Sequence, residues 1–88
     1  MTADRITRHR AARWRFCADG VVVMAAGAAE PIFLASPGDV IWRLLETSGT
    51  VAELVDELRR QFAGDPGTID GDVEAFLAQL AGAGLVER

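Results

Sequence analysis

Residues 31–62 read PIFLASPGDVIWRLLETSGTVAELVDELRRQF, and the hydrophobic period changes inside them. Ile32, Phe33, Leu34 and Ala35 form a short apolar run headed by Pro31. The run suits a strand, and a proline lacking an amide hydrogen suits a strand start or a sheet edge. At Ser36-Pro37-Gly38-Asp39 the pattern turns helical. Ser36 is expected as N-cap, Pro37 as the first helical residue, and Asp39 near the positive end of the dipole. Val40, Ile41, Trp42, Leu44 and Leu45 follow, and Ser48-Gly49 ends this helix. Thr50, with Glu53 three residues on, is a capping box. Val51, Leu54, Val55, Leu58 and Phe62 then share one face of a second helix. Arg59 and Arg60 sit in its last turns, where cations suit the dipole.

Working outward, Arg13 to Cys17 alternate, with Trp14 and Phe16 on one side and Arg13 and Arg15 on the other. That is the pattern of a half-buried strand. Ala18-Asp19-Gly20 is a hairpin-turn signal, Val21 to Met24 a second strand, and Gly27 to Glu30 a loop. Beyond the second helix, Gly64-Asp65-Pro66-Gly67 breaks the chain. A third helix is expected from Thr68 or Ile69 to Ala81, with Ile69, Val73, Phe76, Leu77 and Leu80 as its apolar face. Gly84 is its C-terminal cap, and Leu85-Val86 folds back as an apolar tail. Strands and helices are segregated. The fold class is α+β, winged helix-turn-helix-like: a three-stranded antiparallel sheet followed by three helices.

The chain has 88 residues, a size for one domain. One cysteine, Cys17, excludes an internal disulfide and a Cys-rich zinc site. No other metal site and no cofactor is expected, because calcium-loop and phosphate-loop patterns are missing. Catalysis is not expected either. Cys17 and His9 are the only nucleophile–base pair on offer, and they fall in a strand end and a tail. The apolar run Val21–Ala29 is too short for the roughly 20 residues of a membrane span. A cytoplasmic protein without a membrane partner is expected.

Charge is uneven. Residues 1–20 hold five arginines against Asp4 and Asp19, a local +3; residues 21–88 hold four against eleven acids, a local −7. Residues 1–10 lack an apolar period and read as a flexible basic N-terminal arm, with the folded domain over 11–88. A winged-helix DNA-binding protein is the alternative reading of this topology. The third helix opposes it, since it carries Asp70, Asp72 and Glu74 and no base before Arg88. These acids are expected to favour the start of the helix dipole. The third strand, by contrast, is short and terminal in the meander. As an edge it could accept a strand from another chain.

The chain resembles the PqqD-like family, the precursor-peptide recognition elements of ribosomally synthesised and modified peptides. The resemblance rests on Leu34, Ile41-Trp42, Leu44-Leu45, Thr50 to Leu54, Asp72-Val73, Phe76-Leu77, Leu80 and Gly84-Leu85-Val86, and spans roughly residues 19–87. Many members have an asparagine after the strand leucine, where this chain has Ala35-Ser36, which leaves the subfamily open. The resemblance implies a non-catalytic module that holds a precursor's leader segment as an added antiparallel strand. The module would present it to a modifying enzyme or leader peptidase of a lasso-peptide or pyrroloquinoline-quinone-type pathway. Carried onto this chain, the pairing strand is Pro31, Ile32, Phe33, Leu34 and Ala35. The helix wall is drawn from Asp72, Ala75, Phe76 and Gln79. No nucleic acid partner is implied.

Overall fold

A computed structural model describes residues 5–47, 49–62 and 66–88. Ser48, Gly64 and Asp65, expected at chain breaks, lie outside the described residues, as do residues 1–4. The elements run β1 (Thr7–Arg8), β2 (Arg13–Cys17), β3 (Gly20–Met24), β4 (Ile32–Ala35), α1 (Gly38–Leu44), α2 (Val51–Gln61), α3 (Pro66–Gly82) and β5 (Val86–Glu87). The expected α+β order of meander then helices holds, with strands β2-β3-β4 antiparallel.

β3 is central because its valines can be buried on one face while both neighbours pair with it. Val21 and Val23 are fully buried, and Trp14, Phe16, Ile32 and Leu34 stand opposite them on the same face. The β2–β3 turn consists of Ala18-Asp19, neither with positive φ, and Gly20 is already the first residue of β3. A Cβ at Gly20 would collide with the Leu34 carbonyl, so glycine there lets β4 close onto β3.

α1 starts at Gly38, with Pro37 as N-cap and no side-chain cap. This corrects the expectation of Ser36 as cap. Residues 36–37 form a turn, and the first helical bond runs from Ile41 N to the Pro37 carbonyl, 3.1 Å. The Thr50–Glu53 capping box of α2 is present: the Glu53 amide donates to Thr50 Oγ1, and the Thr50 amide to Glu53 Oε1. α3 begins at Pro66, earlier than expected. Asp70, Asp72 and Glu74 therefore stand past its first turn. Asp70 pairs instead with Arg59 (2.8 Å) and Glu74 with Arg88 (3.3 Å). Gly84, φ +78°, closes α3 as expected: Leu85 N donates to Leu80 O and Gly84 N to Ala81 O.

The flexible arm is corrected from Arg5 onward. Ile6 is fully buried and its amide donates to the Gly49 carbonyl, 3.1 Å. β1 pairs antiparallel with β5, Thr7 opposite Glu87 and Arg8 opposite Val86. Arg5 bridges to Thr50. One isoleucine among polar residues gives no period to read, yet one buried side chain and a two-residue strand suffice to dock the segment. Ile6→Ala is expected to lower unfolding stability by about 3 kcal/mol in urea titration. A frayed arm would leave the midpoint unmoved.

Glu53 gives a second expectation. The amides of Gly49 and Thr50 hold its carboxyl below the usual range, with the Thr50 hydroxyl and Arg5 assisting. A depressed carboxylate contributes its stability above its unfolded pKa and loses it as pH falls through the folded value. Glu53→Gln is expected to flatten the acid-side fall of the urea midpoint between about pH 6 and about pH 3.

Candidate peptide-binding groove

Hydrogen-bond direction along β4 follows from the hairpin. Cys17 and Gly20 flank the two-residue turn and face each other, so the backbone polar groups of Gly20 and Val22 point to β2, and those of Val21 and Val23 to β4. Their partners Leu34 and Ile32 point back at β3. The amides and carbonyls of Phe33 and Ala35 therefore stand on the open edge of the sheet. This edge is the expected third strand, and no described strand covers it.

Across from that edge lies α3. Val73, Leu77 and Leu80 make its buried stripe. The next stripe, Asp72, Ala75, Phe76 and Gln79, follows the same helical spacing and faces β4 across a groove of about 750 Å³. The structure thus brings eight of the nine sequence-expected residues around one cavity: Ile32, Phe33, Leu34 and Ala35 on one side, the four α3 residues on the other. Pro31 lies one residue before β4 and does not line it. Phe76, undecided between core and groove, does both: its half-buried ring lines the cavity and packs against the core. A Cβ on Gly38 would stand 3.1 Å from the Phe76 ring and 3.5 Å from Leu34 Cβ. The glycine lets the Phe76 ring lie close over the start of α1.

Sequence reading missed part of the lining: Gly38, Ile41, Leu58, Phe62 and Ile69 also border the cavity. All but Gly38 were placed on apolar faces. No periodicity separates a side chain that fills a core from one that lines a cleft beside it.

The groove is apolar at its base, with Asp72 and Gln79 as polar groups on its helical rim. Ile32 is 44% exposed and Phe33 52%. No ion pair engages Asp72 among the described residues. Such a site can hold an extended chain by main-chain hydrogen bonds along Phe33 and Ala35, with alternate side chains turned into the apolar cleft. Among the described residues no three His, Cys, Asp or Glu side chains could hold a metal ion. Cys17 and His9 have separate partners: Cys17 Sγ donates to the Gly20 carbonyl, and His9 Nδ1 accepts from the Ala11 amide.

The family model for coenzyme PQQ synthesis protein D, PqqD, matches residues 20–86. The chain belongs to the PqqD family. The match takes in β3, β4 and all three helices, and so both walls of the groove. Among solved structures, that of TbiB1 in complex with the TbiA(beta) leader peptide is similar, with a TM-score of 0.85 and 28% identity. The likeness covers 92% of this chain and 94% of that one. No curated protein sequence matches the chain.

If the groove's mouth is kept for a ligand, its exposed residues contribute little to folding. Phe33→Ser is expected to change unfolding stability by less than about 0.5 kcal/mol. Leu77→Ala, behind the groove, is expected to cost roughly 2–5 kcal/mol in the same titration.

Proposed function

We propose that the chain binds the leader segment of a ribosomally synthesised precursor peptide and presents it to a modifying enzyme or leader peptidase, without catalysing a reaction itself. One observation carries the reading. An unpaired strand edge and an apolar groove coincide at β4 and α3, in a fold shared with a chain solved in complex with a leader peptide. Family membership supports it, because PqqD is by its description a protein of coenzyme synthesis.

The binding residues are Ile32, Phe33, Leu34, Ala35, Asp72, Ala75, Phe76 and Gln79, with Pro31 leading into the strand. The leader enters antiparallel to β4. Four residues of β4 at about 3.3 Å each offer about 13 Å of ladder, so a short segment of the leader is held. Its inward side chains meet Ile32, Leu34 and Phe76; its outward ones lie beside Phe33. Lasso-peptide and pyrroloquinoline-quinone-type pathways both suit such a module. No described helix is long and apolar enough to cross a membrane, and a cytoplasmic place, where precursor peptides are made, suits the role.

Nothing favours duplex binding. α3 presents Asp72 to the groove, and its other two acids are held by Arg59 and Arg88.

The test is an amide NMR titration of the labelled chain with the precursor's leader half. Shifts are expected at Ile32–Ala35 and Asp72–Gln79. Phe33→Pro removes one amide hydrogen from the open edge and none from the β3 pairing. It is expected to stay folded and to lose binding by at least about tenfold. Full affinity in a folded Phe33→Pro variant would disprove strand addition.

A further inference from the structure

β2 is the other edge of the sheet, and its chemistry is opposite to that of β4. All five of its residues are exposed. Trp14 is 41% and Phe16 37% exposed, although both lie on the face that β3 and β4 bury. α1 packs on β3 and β4. It meets the β2 overhang through Trp42, whose ring stands edge-on to Trp14 at 5.6 Å. The rest of the overhang is roofed by cations. The Arg8 guanidinium lies 4.4 Å from the Trp14 ring centroid and that of Arg43 4.2 Å from Phe16. Arg8 is fixed there, because its Nε donates to the Trp42 carbonyl, 3.1 Å, in the last turn of α1. Arg13 and Arg15 project from the opposite face, by strand alternation.

These four arginines, like Arg5 and Arg10, make no ion pair among the described residues, whereas Arg59, Arg60 and Arg88 each hold a carboxylate: Asp70, Glu57 and Glu74. Glu46 favours the charged form of Arg8, but burial lowers its pKa more strongly and Arg43 adds to that lowering. A chain of net charge −4 thus gathers four arginines without ion pairs around one strand, two on β2 and one each from β1 and α1.

We propose that β2 is a docking edge for an acidic, extended segment of a partner protein, the enzyme to which the leader is presented. The identity of that partner rests on the function proposed above; the acidic chemistry does not. Cys17 faces Gly20 across the hairpin, so the backbone polar groups of Arg15 and Arg13 also point at β3, and the amides and carbonyls of Trp14 and Phe16 face outward. A strand added there finds arginines on both faces, Arg8 and Arg43 on one and Arg13 and Arg15 on the other. Acidic side chains on either face are therefore matched. Half-exposed aromatic rings under guanidinium groups, with tryptophan and arginine together, are the composition that dominates interface energy. The groove between β4 and α3 offers Asp72 and no arginine to its occupant. The two edges thus sort two partners by charge, and β3 between them lets both be held at once.

The test uses the labelled full chain and three probes: a capped peptide of alternating Glu and Val, its Lys–Val counterpart, and a short DNA duplex. The Glu–Val peptide is expected to shift Arg13–Cys17, Arg8 and Arg43, to weaken with salt, and to leave Phe33 and Asp72–Gln79 unmoved. Arg13→Glu combined with Arg15→Glu, both exposed and unpaired, is expected to weaken it by about tenfold or more while the leader affinity is kept. Arg43→Gln is expected to weaken it as well. Equal binding of the Lys–Val peptide, tighter binding of the duplex, or Glu–Val shifts confined to β4 and α3 would overturn the proposal. Loss of the leader response with the β2 response intact would remove the presenting role and leave the acidic docking edge standing.

Discussion

The inner face of β3 carries this molecule. Val21 and Val23 are fully buried there, beneath α1 with its fully buried Trp42. A three-stranded sheet has one central strand and two edges, and one short helix cannot cover all three strands. α1 sits over β3 and β4, and α2 and α3 complete the core from beyond it. What the helices leave uncovered is decided by that placement: a cleft between β4 and α3, and an overhang at β2.

The cleft stays open because its walls are held from elsewhere. α3 is fixed by Val73, Leu77 and Leu80 on its core side and by the Gly84 closure, which turns Leu85 into the core and starts β5. β4 is fixed by its ladder to β3, made close by Gly20. A peptide can therefore enter between them with little rearrangement, since both hydrogen-bond edge and apolar wall exist before it arrives. Family membership and the shared fold with a leader-bound chain agree with this arrangement.

The two edges of one sheet are chemically distinct because of small choices in sequence. β4 has no charged residue and presents apolar side chains beside an open backbone edge. β2 alternates arginine with aromatic residues, and two further arginines reach it from β1 and α1. None of these arginines makes an ion pair among the described residues, while Arg59, Arg60 and Arg88 hold carboxylates.

Much of this was legible in the sequence. The switch of period between Leu34 and Val40 separates sheet from helices, and the Thr50–Glu53 box and Gly84 mark helix ends, because capping depends on residues a few positions apart. Ile32–Ala35 is legible as an edge from its place at the end of the meander, whereas the set Asp72, Ala75, Phe76 and Gln79 comes only with the family resemblance. Tertiary structure alone decided the rest. Ile6 is buried because the C-terminal residues return to pair with its neighbours, a contact some eighty positions distant. Ser36 does not cap α1, because residues 36–37 form a turn after β4 and the helix starts only at Gly38. Trp14 and Phe16 alternate as buried residues do, yet stay exposed because α1 is placed over the other two strands. Local sequence fixes which faces a segment has. Which of those faces meets another is settled only when every element competes for the same small core.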